Sequence, residues 1–251
     1  MSEFESRVGS QPVGATVTKP VAVAIVCKTP AAGNSKTRLS PPLRPDECAA
    51  ISSCFIRDLS ATIQSLAEDG DVAGCAVYTP VGSEAALRPL LPGAFRLMPQ
   101  GEGDLGARLL KATSDLLDAG YAGAILVNSD SPTLPKTILR QAVDAVRRGD
   151  NVVLSPALDG GYTLIGLSRP HVRLFQDMPW STSEVYRLTL ERAKEIELPV
   201  INVPGWYDVD DAASFRILED EFRGIKPPSA PPDVMGAEAT ATFQFIRDRR
   251  A

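Results

Sequence analysis

The chain has 251 residues, 44% of them hydrophobic and 23% charged, with a formal net charge of −5. That length supports one sizeable core, and the composition is ordinary for a globular protein. The acidic balance argues against general nucleic-acid binding, which needs a basic face, and no apolar run is long enough to span a bilayer.

Four cysteines, Cys27, Cys48, Cys54 and Cys75, show no metal-ligand spacing. Cys27 and Cys75 lie in apolar runs, so they read as small core residues in a reducing compartment. The first twenty residues are polar, with no apolar centre. This predicts a disordered tail over residues 1–20 rather than a secretory signal, and a cytoplasmic protein.

Residues 21–27, VAVAIVC, read as a buried strand, because no polar residue interrupts them and β-branched side chains fit a pleated sheet. The loop after it, KTPAAGNSKTRL at 28–39, carries Pro30 and Gly33 and cannot continue as strand or regular helix. Its small residues let main-chain N–H groups approach a ligand, and Lys28, Lys36 and Arg38 supply three cations. Together these features make a phosphate cradle, and a solvated basic loop is the competing explanation. The apolar spacing from Ala49 to Leu66 marks a long amphipathic helix opened by Pro45. A strand at 72–78, a short helix at 83–91 and a weak strand at 95–98 follow.

Next comes QGEGDLGAR at 100–108. Its glycines demand a special backbone path, and Asp104 can cap the helix beyond. That helix start offers a second place for N–H groups to face an anion or a nucleobase edge, and a plain turn before a helix is the competing explanation. Residues 122–127 form another buried strand that leads straight into NSDSPTLP, which places Asp130 at the carboxyl end of a strand. Ligands of open α/β sheets bind at that edge. An acidic residue there is the natural holder of a divalent cation, and a turn-forming Asp is the competing explanation. Pro135 opens a helix to Arg147.

Strands at 151–156 and 162–167 pair across the turn Asp159-Gly160-Gly161. Asp159 can stay near the cleft and bind a metal or an acceptor hydroxyl, while Gly160 and Gly161 let an acceptor lie against bare backbone. A lone histidine, His171, sits in a polar segment, so a histidine metal site and a Ser-His-Asp triad are both excluded. Residues 179–184, PWSTSE, open a helix with capping-box spacing between Ser181 and Glu184. Trp180 can pack there or wall a pocket. After an edge strand at 198–203 comes WYDVDD at 206–211, in which Asp208 and Asp210 share one face if the segment is extended. Paired carboxylates repel unless a cation lies near; capping of the next helix by Asp210 or Asp211 is the alternative. Residues 226–233 are Pro-rich and read as a linker, and 237–250 as a terminal helix docking through Phe243, Phe245 and Ile246.

Strands and helices alternate from 21 to about 222, which implies one α/β domain with a mainly parallel sheet flanked by helices over 21–223, followed by the linker and helix of 224–251. The motifs from Lys28 to Leu39, Gln100 to Gly106, Ser129 to Pro132, Asp159 to Tyr162 and Pro179 to Thr182, in this order, resemble a bacterial family of GT-A-fold (Rossmann-like) proteins labelled glycosyltransferases, called transferase 1, of the nucleotide-diphospho-sugar transferase superfamily. The loop 36–39 and the helix after it are also similar to 2-phospholactate guanylyltransferases. Residues 208–211 are similar to the last metal-ligand segment of sugar and molybdopterin nucleotidyltransferases, in which a residue matching Asp210 helps hold magnesium.

The resemblance implies a nucleotide-binding GT-A fold, a divalent metal and transfer from a nucleotide donor. The nucleotide would lie on Lys28, Thr29, Pro30, Gly33, Lys36, Arg38, Gln100, Gly101, Gly103, Asp104, Gly160 and Gly161. Mg²⁺ (or Mn²⁺) would lie on Asp130, Asp208 and Asp210, and Lys36, Arg38, Asp130 and Asp159 would be catalytic. The expected reaction is nucleotidyl transfer from an NTP to a small phosphorylated acceptor with release of pyrophosphate. The alternatives are glycosyl transfer from an NDP-sugar to a hydroxyl acceptor, with Asp159 as base, and a non-catalytic nucleotide or phosphosugar sensor.

Overall fold

A computed structural model describes residues 18–250; the expected tail falls almost wholly outside the described residues. Seven strands form one sheet in the order β3-β2-β1-β4-β6-β5-β7. They are β1 (Val21–Lys28), β2 (Val72–Thr79), β3 (Arg96–Pro99), β4 (Gly123–Asn128), β5 (Val152–Pro156), β6 (Tyr162–Leu167) and β7 (Val200–Asn202). Only β6 runs antiparallel to its neighbours, β4 and β5; the other pairings are parallel. Among the described residues the α-helices are α1 (Pro45–Ala67), α2 (Glu84–Leu87), α3 (Leu105–Asp118), α4 (Lys136–Val146), α5 (Val185–Glu195), α6 (Ala212–Glu221) and α7 (Thr240–Arg250). The expectation of a mainly parallel α/β sheet between helices holds.

β1 shows how sequence selects this layering. Val21, Val23, Ile25 and Cys27 face one side, where they join a core with Phe55 and Ile63 of α1 and Ile138 and Val143 of α4. Ala22 and Ala24 face the other side, with Leu109 and Leu116 of α3. A strand apolar on both faces can only be central. The cysteines carry no disulfide, and Cys27, Cys48 and Cys75 are buried. No described helix is long and apolar enough to cross a membrane.

α1 starts at Pro45, and Asp104 caps α3 by accepting from Ala107 N at 2.8 Å. The helix expected from Pro179 starts instead at Val185, and the expected Ser181–Glu184 box is absent. Ser181 takes φ 64°, and Thr182 Oγ1 donates to Pro179 O at 2.7 Å. The cause is tertiary: the β5–β6 turn packs against this segment. Tyr186 N donates to Gly160 O at 2.9 Å, and a side chain on Gly160 would come within 2.3 Å of Ser183 O. Gly160 therefore serves contact between two loops, where an approach to a ligand was expected.

The chain after β7 returns towards the middle of the sheet. Val203 N donates to Leu154 O at 2.9 Å, Trp206 N to Pro156 O at 3.1 Å and Val209 N to Asp130 O at 2.8 Å. Residues 203–209 thus cross the ends of β5 and β6 and finish beside the loop after β4. Trp206 and Tyr207 are fully buried beneath that loop. Trp206 Nε1 donates to Thr133 Oγ1 at 3.1 Å, and the Tyr207 hydroxyl bonds Glu221 of α6.

Beyond α6, Ala230 and Val234 of the Pro-rich segment pack on the core, and Ala237 N donates to Thr133 O at 2.9 Å. α7 docks through buried Ile246 and partly buried Phe245, while Phe243 meets Phe222 edge-on at 5.3 Å. Its first turn is capped by Asp58 of α1, whose buried carboxylate accepts from Ala241 N at 2.9 Å, Thr242 N at 2.8 Å and Thr242 Oγ1 at 2.6 Å. Helix N-termini leave such N–H groups without intrahelical partners. Asp58→Ala should therefore lower stability by about 1–3 kcal/mol in urea unfolding and speed amide exchange across α7; unchanged exchange there would show that the cap is dispensable.

Candidate functional site

Three segments converge at the carboxyl ends of β1 and β4. The first is the loop after β1. Asn34 N and Ser35 N both donate to Ala31 O, and Ser35 Oγ accepts from Ala31 N at 3.0 Å, so the loop is a self-bonded turn. Gly33 has φ 73° and Lys36 has φ 50°. The left-handed region is costly for lysine, and tertiary bonding holds it there. Lys36 Nζ lies 2.7 Å from Asp130 Oδ1 and donates to Asp210 Oδ1 and Val209 O, each at 2.8 Å. All three ammonium protons thus have acceptors, one from the loop after β4 and two from the segment 206–211. Only 7% of the Lys36 side chain is exposed.

The carboxylates respond unequally. Burial raises the pKa of Asp130 above the ordinary range, against the pull of Lys36. Burial also opposes ionisation of Asp210, yet Lys36 and then Arg38 prevail and hold it low; Arg38 donates to Asp210 Oδ2 at 2.7 Å. Lys36 stays charged, because the two carboxylates outweigh its desolvation. The Cys27 thiol beneath is pushed up to about 12, by burial first and then by the Asp130 charge. Asp211, and not Asp210, caps α6, accepting from Ala213 N at 3.0 Å and Ser214 N at 2.9 Å. Asp208 and Asp210 are left on the open face of an extended segment whose other face is buried Tyr207 and Val209.

Asp208 is the unbalanced member. No Lys or Arg pairs with it among the described residues. Burial, then Asp159, Asp210 and Asp130, push its carboxyl up to about 7. Among the described residues no three Asp, Glu, Cys or His side chains stand at metal-ligand spacing, and Lys36 Nζ takes the place between Asp130 and Asp210. The donor set still suits a hard divalent cation, since it is all carboxylate oxygen and Asp208 has no counter-ion. The carboxylate most in need of a cation is therefore Asp208, where the sequence pointed first to Asp130 and Asp210.

Two cavities meet at Ser129 and Asp130. One, of ≈ 210 Å³, is polar and is lined by Lys28, Asn34, Ser35, Lys36, Thr37, Arg38, Ser52 and Asp210 besides those two. The other, of ≈ 290 Å³, is mostly apolar, with Leu105, Leu109, Tyr162, Trp180 and Val185 among its walls and Asp159, Gly161 and Asp208 at its polar end. The expected cations and carboxylates are thus together.

Several expected nucleotide contacts lie elsewhere. Thr29 is buried with its hydroxyl 2.7 Å from Ser83 Oγ, and neither it nor Pro30 lines either cavity. Gly33 borders a separate hollow beside Pro45 and Cys48. Gln100 is buried, and its side-chain amide donates to Cys27 O at 3.0 Å and Val77 O at 3.1 Å, tying β1 to β2. Gly101, Gly103 and Asp104 shape the turn into α3 outside both cavities. Ser52 was missed, although a serine on the apolar face of α1 is a readable signal. Leu105, Leu109 and Tyr162 gave none, because core and pocket walls share one chemistry.

A family model described as "Uncharacterized protein conserved in bacteria (DUF2064)" matches residues 62–182. No protein of curated function matches the sequence. The fold is similar to that of a protein from Desulfovibrio desulfuricans G20 described as a candidate nucleotide-diphospho-sugar transferase, with TM-score 0.77, 25% identity, and 92% of this chain and 95% of that one covered. It is also similar to a CMP:2-keto-3-deoxy-manno-octonic acid synthetase complexed with CTP (TM-score 0.53, 10% identity, 82% and 99% covered). A 4-diphosphocytidyl-2C-methyl-D-erythritol synthase from Anaerococcus prevotii DSM 20548 gives TM-score 0.52 at 8% identity, with 84% and 100% covered. The fold is that of the GT-A-like nucleotide-diphospho-sugar transferases and cytidylyltransferases, as the motifs implied.

Lys36→Met would leave half-buried Asp130 without its cation and Asp210 with Arg38 alone. Loss of one partner of a buried ion pair costs about 3–5 kcal/mol, so a comparable drop is expected in urea unfolding. Asp208 sets a pH dependence. Its folded pKa, about 7, exceeds the unfolded value near 3.8, so the folded state holds the proton longer. Its contribution is fully present below about 4 and is lost as pH rises through 7. Asp208→Asn should flatten the thermal-stability profile over that window and raise Tm at pH 8, by about 2–4 °C per kcal/mol of relieved repulsion; an unaltered profile would refute the assignment.

Proposed function

We propose that the protein is a metal-assisted transferase using a nucleotide donor, and that it transfers a nucleotidyl group from an NTP with release of pyrophosphate. The observation that carries this reading is the polar cavity, whose wall of cations, Lys28 and Arg38, adjoins its wall of carboxylates, Asp130 and Asp210. A triphosphate is the donor that uses both walls. Lys28 and Arg38 take its outer phosphates, and their charge grows in value as pyrophosphate departs. Lys36 holds Asp130 and Asp210 at fixed separation, because its N–H groups are all committed to protein acceptors.

Asp130, Asp208 and Asp210 are the residues that would hold Mg²⁺ or Mn²⁺. When bound, the ion neutralises phosphate oxygens. The acceptor enters by the second cavity, so that its attacking oxygen comes out beside Asp130 and Asp159. The likeness of the fold to nucleotidyltransferases supports this reading, as does a first-strand loop richer in cations than sugar transfer requires.

The test is to incubate the protein with Mg²⁺, each NTP and a panel of phosphorylated and hydroxylated acceptors, following pyrophosphate, and in parallel to follow NDP release from NDP-sugars. Pyrophosphate should form and vanish in Asp130→Ala. Arg38→Ala should lower kcat by about 10²–10³-fold, the range seen for loss of one charge-stabilising donor. NDP release without pyrophosphate would replace this reading by glycosyl transfer, and tight nucleotide binding with neither product by a sensor.

A further inference from the structure

The second cavity specifies what the acceptor is. Its lining holds three carboxylates, Asp130, Asp159 and Asp208, and no lysine, arginine or histidine. All three cations of the site belong to the other cavity. With a triphosphate and one divalent cation in place, negative charge still exceeds positive charge around Asp130. A phosphorylated or carboxylated acceptor would bring more negative charge against carboxylates that have no spare counter-ion, in a partly apolar enclosure where repulsion is poorly screened.

The walls are equally informative. Leu105, Leu109, Tyr162, Trp180 and Val185 present apolar and aromatic surface. At ≈ 290 Å³ the space is about twice the ~150 Å³ of an apolar cavity that takes up benzene. It accommodates a substituted ring. Leu105, at the first turn of α3, is 38% exposed and lines the cavity. An exposed leucine on the lip of a ring-sized pocket is a recognition surface in waiting.

The geometry points to an uncharged, hydroxyl-bearing acceptor with a ring-sized apolar face, in place of the phosphorylated one expected from sequence. For its chemistry this rests on the nucleotidyl reading. The acceptor hydroxyl oxygen forms a bond to the α-phosphorus of the NTP, and the α–β bridging bond breaks. Pyrophosphate leaves with that electron pair, and the hydroxyl proton passes to Asp159. Gly161 N donates to Asp159 Oδ1 at 2.8 Å and fixes the direction of that carboxylate.

The test uses the full chain with Mg²⁺. Phenyl glucoside and benzyl alcohol are titrated calorimetrically against their charged counterparts, benzyl phosphate and benzoate, and each is then assayed for pyrophosphate with every NTP. The neutral compounds should bind at least tenfold more tightly. Leu105→Lys, an exposed change that adds a cation to the lip, should shrink that ratio or reverse it. Asp159→Asn should leave neutral binding in place and slow pyrophosphate release by about 10²-fold, in the range of a lost general base.

Equal or tighter binding of the charged compounds, no binding of the neutral ones, or a ratio unmoved by Leu105→Lys overturns the inference. Neutral binding without pyrophosphate from any NTP supports the acceptor class and refutes nucleotidyl transfer. Pyrophosphate formed only with charged acceptors does the reverse.

Discussion

The ammonium of Lys36 joins three parts of the chain that are far apart in sequence: its own loop, the loop carrying Asp130 and the extended segment from Trp206 to Asp211. Each N–H has one acceptor. Moving a lysine head group into a site only 7% exposed is unfavourable unless its charge and all its donors are matched. Here they are matched by two carboxylates and a carbonyl. The same contacts explain why Lys36 tolerates a left-handed backbone, because the strain is local and the compensation is tertiary. A lysine that looked like a free cation for phosphate is instead the fastening of the acidic cluster.

The fold delivers these groups by two routes. β1 and β4 are adjacent and parallel, so the loops after them emerge side by side. The third group comes from an edge. β7 lies at the far end of the sheet, yet main-chain bonds to Leu154, Pro156 and Asp130 carry the following segment back across two strand ends. Trp206 and Tyr207 then anchor it from below, through Thr133 and Glu221. The antiparallel β6 matters for the same reason. Its turn from β5 puts Asp159 at the same edge as Asp130 and presses Gly160 against Ser183, which delays the start of α5 and leaves Trp180 to wall the second cavity.

Much of this is legible in the sequence. The apolar strands at 21–27 and 122–127, the Pro45 helix and the Asp104 cap follow from local rules of pattern and capping, and local rules need no partner. The alternation Asp208–Val209–Asp210 puts the two carboxylates on one face if the segment is extended, and the burial alternates accordingly, with Val209 buried between two half-buried aspartates. What failed was what tertiary contact decides. Gln100 looked like a ligand contact in a glycine-rich loop, but its amide is spent on two strand-end carbonyls. Ser181 and Glu184 had the spacing of a cap, but the neighbouring hairpin supplies the bond from its own backbone. Residue type also left the division of work between Lys36 and Arg38 open. Burial separates them: Lys36 is enclosed, whereas Arg38, ion-paired to Asp210, is 70% exposed.

The two cavities share Asp130, and that sharing organises the chemistry. One wall system is cationic, the other apolar and acidic, and neither alone would define a group transfer. On the proposed reading an anionic donor would be drawn to the first and repelled by the second, with its reactive phosphorus at the junction. A neutral acceptor with an apolar face would have the opposite preference and would fill the space the donor avoids. Charge would thus sort the two partners before any shape is read, and Asp130, half-buried at the boundary with its ionisation held between Lys36 and its desolvation, lies where the two would meet.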